Sequence, residues 1–595
     1  MDQEQNTAPK GAFAWERVLC RLIAAWCTFA ALVALSGSEF EKLSFAQTVG
    51  FLQVGLWTLT FFTLYSIVAL LIRGIHTDSW LLMIFATVCV FRWLLGYKGT
   101  QDLLFLLGVS LVYCLFAVFF MRANLPLFER IRPKRSVVAL FATLAILVCF
   151  GMIAVITCLR YKTFSSPNFD FGLFCNMFYN MRKSGEALVS SERDRLLSHF
   201  AVHISPAYYL FLPFYWLFPY PETLQICQAA VLAAGVIPVV LLAKHFKLSG
   251  KSRIAVAALY AFYPAISAGC FYDLHENCFL PLFLLCTFLF YEKKKYVPMY
   301  LSAILVLSVK EDAAIYLMLF AVYLLLSERR YGHGIALAVL SVGYFALCAY
   351  FLEKHGLGMM VNRFDNLIYN KEEGLLGAVK TALINPGYLL TQLFTTPRGG
   401  WEKLGYALQM LLPLGLLPFC SKKPSRWLLV SPILINLLTN YVYQYDIGFQ
   451  YHFGITAFLV YATVKNLPEL TPPTRRHLLT VAAAVCCCMY VMTVVPKANT
   501  YITRWQENQA AYQRMDEVLD TIPKDASVSC STFLLAHIAD RDEIYETQYH
   551  KNKTDVDYVA IDLRYEGEHA IAEAYLDAGY TVCAELDGLL LILKK

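Results

Sequence analysis

Thr163–Asn180 reads TFSSPNFDFGLFCNMFYN and follows closely on a long apolar run, Ser136–Cys158. Asp170 stands in it between Phe169 and Phe171. A carboxylate among aromatics, where a chain leaves an apolar run, is costly unless something uses or pairs it. Its meaning depends on whether that run crosses a bilayer, and composition decides this. Of 595 residues, 58% are hydrophobic and 16% charged, against about 25% charged in soluble globular chains. About fifteen apolar runs approach the ~17–25 residues that span a bilayer, from Val18–Leu35 to Leu478–Val495. The expected fold is therefore an α-helical multi-pass membrane protein. Several runs, such as Phe279–Tyr291, Val297–Val309 and Phe453–Val464, are short for a lone span. Short helices are tolerated where protein buries them or where they line a cavity.

Met1–Gly11 is polar and the first apolar run lacks a small-residue cleavage site, so no cleaved leader is expected. The net charge of +6 comes from lysines and arginines in short loops and gives no reason to expect nucleic acid as a partner. Most of the eighteen cysteines lie inside apolar runs, where they act as small hydrophobes, and no CxxC pair occurs. Cys530 and Cys583 both fall in the tail, where a disulfide is an option although buried free thiols are commoner.

Orientation follows from Lys/Arg bias in short loops. With the N-terminus cytoplasmic, the inner loops include RANLPLFERIRPKRS, KHFKLSGKSR, EKKK, SERRYGHG, SKKPSR and KNLPELTPPTRRH, all basic. The other side receives YDLHEN, KED and YQYDIGFQYH. This split requires that Pro206–Tyr220 (PAYYLFLPFYWLFPY) does not cross, which suits its prolines and interfacial aromatics. Three parts are expected: an accessory transmembrane bundle at 1–135, a transmembrane core at 136–495 with outer loops 159–222 and 353–403, and an extracytoplasmic α/β domain at 496–595. In the last, ASVSCS, DYVAIDL, YTVCAEL and LLLILKK read as strands, and STFLLAHIA and EHAIAEAYLDAG as helices.

The polar residues that need explaining cluster on the expected outer side. They are Asp170; His199 and His203, four apart; Asp273, His275 and Glu276; Lys310, Glu311 and Asp312; and Tyr451 with His452. Arg398 in TTPRGG is a further candidate. Each has a plainer reading. Asp170 or Asp273 would cap a following helix; Lys310 would pair with a neighbouring acid; the histidines and Tyr451 would be interfacial anchors. The clusters argue against this jointly, since scattered structural polars would fall on both faces. Glu311 and Asp312 are also expected to differ, because neighbours on a helix point about 100° apart. Carboxylates can deprotonate a hydroxyl or hold a divalent cation, and Lys or Arg can neutralise a departing phosphate. At an outer leaflet this fits a lipid substrate that carries phosphate. No P-loop and no GxGxxG opening a helix supports nucleotide use.

At these residues the sequence resembles a large bacterial family of predicted multi-pass membrane proteins, itself similar to GT-C glycosyltransferases. FDFGLFCNMFYN, HISPAYYLFLPFYWLFP, LYAFYPAISAGCFYDLHEN, LSVKEDAAIYLML and QYHFG carry the resemblance. It spans roughly Val137–Val495 and continues weakly at DYVAIDL. It implies a GT-C-like core that moves a hexosyl or pentosyl group from a polyprenyl-phosphate carrier to an envelope glycan, lipid or protein acceptor. Asp170 takes the place of the family's acidic residue in the first long outer loop. Asp273 matches a second acid, and Lys310 a lysine near the donor phosphate, making these three the implied catalytic residues. His199, His203, His275, Glu276, Glu311, Asp312, Arg398, Tyr451 and His452 would bind substrate. The family's usual pair of adjacent acids is absent, since Phe171 follows Asp170, so the resemblance assigns no metal and leaves a divalent cation open. The competing class is a transporter or flippase of a lipid-linked or small anionic substrate, whose charges would sit nearer mid-span. A third is a scaffold without catalysis that uses its tail to bind envelope partners.

Overall fold

In a computed structural model, which describes residues 15–37, 43–72, 75–96, 103–193, 195–358, 362–550 and 554–595, most of the apolar runs form helices. Eight helices among the described residues are long and apolar enough to cross a membrane: Trp15–Ser36, Phe51–Leu71, Thr77–Gly96, Leu103–Ala123, Arg135–Lys162, Pro221–His245, Tyr331–His355 and Pro472–Leu519. Tyr296–Leu307 and Ala313–Leu326 are shorter apolar helices. The runs Leu404–Cys420 and Trp427–Val442 behave differently. After a helix at Glu402–Leu411 the chain passes through short turns at Leu412–Leu414, Leu417–Phe419 and Pro424–Leu429 to a brief helix at Ile433–Leu437. Pro413, Pro418, Pro424 and Pro432 each remove a helix donor there, and Leu416 is left-handed with φ 54°. Pro206–Tyr220 likewise forms a turn and a six-residue helix, Leu212–Leu217, with Phe214, Trp216 and Phe218 exposed. The polar Met1–Gly11 stretch lies outside the described residues.

Contacts divide the chain into two units, Met1–Pro133 with Arg476–Met492, and Lys134–Arg475 with Thr493–Lys595. In the first, small residues let helices approach closely. Ala24, Ala25, Cys27 and Ala31 pack with Leu82 and Cys89, and Arg21 holds Asp78 through Nε at 2.7 Å and Nη2 at 3.1 Å.

The second unit is built around Phe453–Asn466, a helix buried along its whole length. Gly454 lets the Tyr316 ring lie against it, since a Cβ there would stand 2.3 Å from that ring. At one end of the surrounding helices, Lys465 pairs with Glu292 and lies 3.5 Å from Glu328, while Arg426 meets Glu469 at 2.6 Å. At the other end gather the loops that carry the candidate site. The 353–403 stretch holds short helices, Gly374–Ile384 and Pro386–Gln392, with Leu376, Leu383, Ile384 and Leu390 exposed.

The same unit contains the tail. Beyond Thr493 a helix, Val495–Leu519, leads into a five-stranded sheet. Its strands are β3 (Val528–Cys530), β4 (Ile544–Glu546), β5 (Tyr558–Asp562), β6 (Thr581–Leu586) and β7 (Leu590–Lys594), after a small hairpin of β1 (Leu188–Val189) and β2 (Leu197–Ser198) in the core. The order is β4-β3-β5-β7-β6, with β3 parallel to β4 and β5, and β7 antiparallel to β5 and β6. Glu566–Asp577 covers one face, with Ala572 and Tyr575 packed on Val559 and Ile561. The expected helix in STFLLAHIA reduces to a single turn, Leu535–His537. Cys530 is buried on β3 and Cys583 exposed on edge strand β6, both as free thiols, so no disulfide joins them.

Candidate active site

The residue that opens the sequence question sits on an unusual turn. Asn168–Gly172 forms a single π-helical turn leading into the helix Leu173–Ser184, with the Leu173 N–H donating to the Asn168 carbonyl. Such one-turn widenings recur at functional sites. Asp170 is half-buried, and no hydrogen bond or ion pair reaches its carboxylate among the described residues. Burial pushes that carboxyl well above the usual range, nearby Glu276 adds to this, and the Lys310 ammonium opposes it. Phe171 is buried, whereas Phe169 is 48% exposed beside it.

Glu276 is the hub of the neighbouring cluster. Lys310 Nζ lies 2.9 Å from Glu276 Oε1, Tyr208 donates its hydroxyl to Oε2 at 2.7 Å, and His275 Nδ1 lies 3.2 Å from Oε2. The lysine and the glutamate are almost fully buried. Burial raises the Glu276 carboxyl, but the His275 imidazole and the Lys310 ammonium more than offset this and hold it well below the usual range. Burial draws His275 down to about 3 against the pull of Glu276.

Glu311 and Asp312 part as helix geometry requires. Glu311 accepts from the Ile204 N–H at 3.0 Å and lies 2.8 Å from His203 Nδ1, tying the 199–205 loop to the break between two helices. Asp312 stands at the start of Ala313–Leu326, and its carboxylate has no hydrogen bond or ion pair among the described residues. Burial raises its carboxyl to about 6 against the pull of Lys310.

A second cation whose charge acts on Asp170 and Asp312, after Lys310, is Arg363, which sequence reasoning missed. It comes from the turn Asn362–Leu367, and its guanidinium lies 4.7 Å from the Tyr451 ring centroid and 5.5 Å from that of Tyr441. No carboxylate pairs with it among the described residues, although its charge acts on Asp170, Asp312 and Glu276. Arg398 is exposed and acts instead on Glu402 and Tyr445. Both arginines lie in the same long loop, and only the tyrosines of YVYQYDIGFQY, which offer flat faces for stacking, hinted at which one is used.

The remaining expected residues are engaged locally. Asp273 has a left-handed backbone, φ 82°, and its oxygens are taken by Arg160 Nε at 2.8 Å, Ser166 Oγ at 2.9 Å and Gln225 Nε2 at 3.2 Å. Arg160 in turn donates to Tyr501 at 2.8 Å. Asp273 therefore joins three helices and has no free edge. His452 is buried with Nε2 2.7 Å from the Ala265 carbonyl. His199 packs edge-on against Phe174 and Tyr208, with Glu192 Oε2 3.8 Å from Nδ1. No group of three or more His, Cys, Asp and Glu among the described residues stands close enough to hold a metal ion.

Among the described residues, two carboxylates without a partner, a guanidinium over two tyrosine rings and a buried ammonium thus gather at one end of a membrane-spanning helical unit. Fold and site define a polytopic membrane protein with a cluster of charged and aromatic side chains at its helix ends. The chain belongs to the DUF2079 family of predicted membrane proteins, whose family model matches residues 160–591. No curated protein matches it. Two solved structures are similar over most of their length: ArnT from Cupriavidus metallidurans bound to undecaprenyl phosphate, at 12% identity over 78% of this chain and 98% of that one with TM-score 0.48, and the same protein in its apo state, at 13% identity over 77% and 97% with TM-score 0.45.

The raised Asp312 carboxyl has a consequence for stability. A carboxyl lifted from 3.8 to about 6 binds its proton more tightly when folded. The stability it contributes is present below pH ~4 and is lost as pH rises through about 6. Asp312→Asn removes that loss. The variant is expected to melt above the wild type at pH 7.5 and level with it at pH 4. An equal gap at both pH values would show that Asp312 is solvated like an ordinary surface acid.

Proposed function

We propose that the protein is a GT-C-like glycosyltransferase that moves a sugar from a polyprenyl-phosphate carrier to an extracytoplasmic acceptor. The observation that carries this is the presence of unlike, unclosed charged groups acting on one another at one end of the helices. Among the described residues the Asp170 carboxylate has no partner, and the Arg363 guanidinium has the faces of two tyrosines and no carboxylate. A structural ion-pair network would have closed these groups on one another, as Arg160 and Asp273 are closed. Arg363 and Lys310 would hold the carrier phosphate and stabilise the charge it gains as the glycosidic bond breaks. Asp170 would take the proton of the acceptor hydroxyl as it attacks the anomeric carbon. Asp312, the second free acid, would meet sugar hydroxyls, and Tyr451 would keep the guanidinium flat in the site. The lipid tail would lie among the short helices flanking the site. A comparison of envelope glycans and lipid-linked sugars in wild-type and deletion cells tests this. A carrier-linked sugar that accumulates in the deletion is the donor; unchanged pools of every lipid-linked sugar contradict the reading.

The site must then face away from the cytoplasm, and with it the tail. Lys524 is about half exposed, beside Asp540 at 2.7 Å, and Lys294 lies at the opposite ends of the helices. An impermeant thiol reagent is expected to label Lys524→Cys in intact cells and to leave Lys294→Cys unlabelled. The reverse pattern would turn the chain over and place the site in the cytoplasm.

A further inference from the structure

The π turn that carries Asp170 is not held by the membrane core alone. Its first residue, Asn168, donates its backbone N–H to Thr532 Oγ1 at 3.1 Å and its side-chain Nδ2 to Glu546 Oε2 at 2.8 Å. Both partners belong to the tail, more than 360 residues on. Glu546 ends edge strand β4 and is 2% exposed, a buried carboxylate with no cation on it among the described residues. The turn's last residue, Gly172, meets the tail too, since a Cβ there would stand 3.0 Å from Leu535 and 3.5 Å from the Ala536 backbone nitrogen. On either side the junction is closed. Asn176 Nδ2 donates to the Ala539 and Arg541 carbonyls at 3.0 and 2.9 Å, Ser190 Oγ exchanges hydrogen bonds with the Ile544 backbone at 2.9 and 3.0 Å, and the His537 ring stacks on Phe164 at 3.6 Å.

We infer that Glu546 is a positioning residue for Asp170, acting through Asn168, so that the tail domain is a working part of the site. A π turn has poorer intrinsic geometry than an α turn and persists where its surroundings hold it. Released to α geometry, it loses its extra residue and rotates Asp170 away from its present direction. Asn168 and Gly172 flank Asp170 by two residues on each side, and the tail grips both. A buried carboxylate is an expensive way to hold Asn168 and Thr532, the two groups that meet at the start of the turn. Its value here lies in fixing the amide of Asn168, whose rotation would free the turn.

This rests on the glycosyltransferase reading for its kinetic arm and stands without it in its structural arm. In the full-length protein, Glu546→Ala is expected to lower kcat for sugar transfer at least tenfold, with KM for the lipid-linked donor unchanged because Lys310 and Arg363 keep their places. Glu546→Gln, whose amide oxygen can still accept from Asn168, should recover most of the rate. Asn168→Ala breaks the same bond from the core side without touching the tail's strands, and serves should Glu546→Ala fold poorly. The double variant should be no slower than the worse single one, as expected for two groups acting through one contact. Amide hydrogen exchange at Gly172 and Leu173 should quicken in Glu546→Ala and Asn168→Ala and stay slow in Glu546→Gln. Wild-type kcat in Glu546→Ala, or a donor KM that rises while kcat holds, overturns the inference. If the wild type transfers no sugar, the glycosyltransferase reading fails, and the exchange comparison alone decides whether the tail holds the turn.

Discussion

Asp170→Asn is expected to lower sugar transfer by ~10²–10⁴, the usual cost of removing a general base, while the protein folds and melts as the wild type does. Asparagine keeps the shape of the side chain and its capacity to accept a hydrogen bond, and it is as good a helix N-cap as aspartate. Only proton acceptance is lost. Because burial holds the Asp170 carboxyl well above the ordinary range, the wild-type rate should also fall on acidification at a pH higher than an exposed aspartate would give. That acid limb should disappear from whatever residual activity the variant retains. Steady-state transfer across a pH series, with thermal unfolding in parallel, checks both. A stable Asp170→Asn protein with wild-type turnover would remove Asp170 from the chemistry.

Lys310→Met should cost both stability and activity, for separable reasons. The ammonium is buried 2.9 Å from Glu276, and removing one partner of a buried pair leaves the other uncompensated, at about 3–5 kcal/mol. The same change strips the site of a cation that would meet phosphate. The double variant Lys310→Met with Glu276→Gln removes the orphaned charge and retains the Tyr208 contact, so unfolding should return most of the way toward wild type. Transfer should not return. If the double variant regains transfer along with stability, Lys310 serves only to hold Glu276.

These expectations draw on both what the sequence displayed and what it hid. Asp170, Glu276, Lys310, Glu311 and Asp312 were legible because a charge beside an apolar run is rare and costly, so each stood out one residue at a time. The short-helix core was legible in the lengths of its runs, with Phe453–Asn466 wholly buried as a short apolar helix must be. Pairing was not legible. Asp273 looks as free as Asp170 in the sequence, yet it is closed by Arg160 from 113 positions away. Arg363 and Arg398 share one loop, and only three-dimensional neighbours distinguish them: Tyr441 and Tyr451 receive the first and nothing in the site receives the second. The grip of Glu546 on Asn168 crosses 378 positions, and no local pattern in the strand IYE announces it. The broken stretch at 412–437 was readable in principle from its prolines, but its high apolar content masked them.

If Arg363 holds the carrier phosphate while Asp170 activates the acceptor, sugar transfer and carrier release must occur together. The most direct measurement uses the purified full-length protein in lipid nanodiscs with polyprenyl-phosphate-linked sugars and an envelope extract as acceptor. The wild type should release free polyprenyl phosphate in step with sugar appearing on the acceptor, and Asp170→Asn and Arg363→Ala should each abolish that release. Lipid-linked sugar that stays intact with the wild type, but crosses the bilayer when the same protein is placed in sealed vesicles, would rule out transfer and make this a transport site.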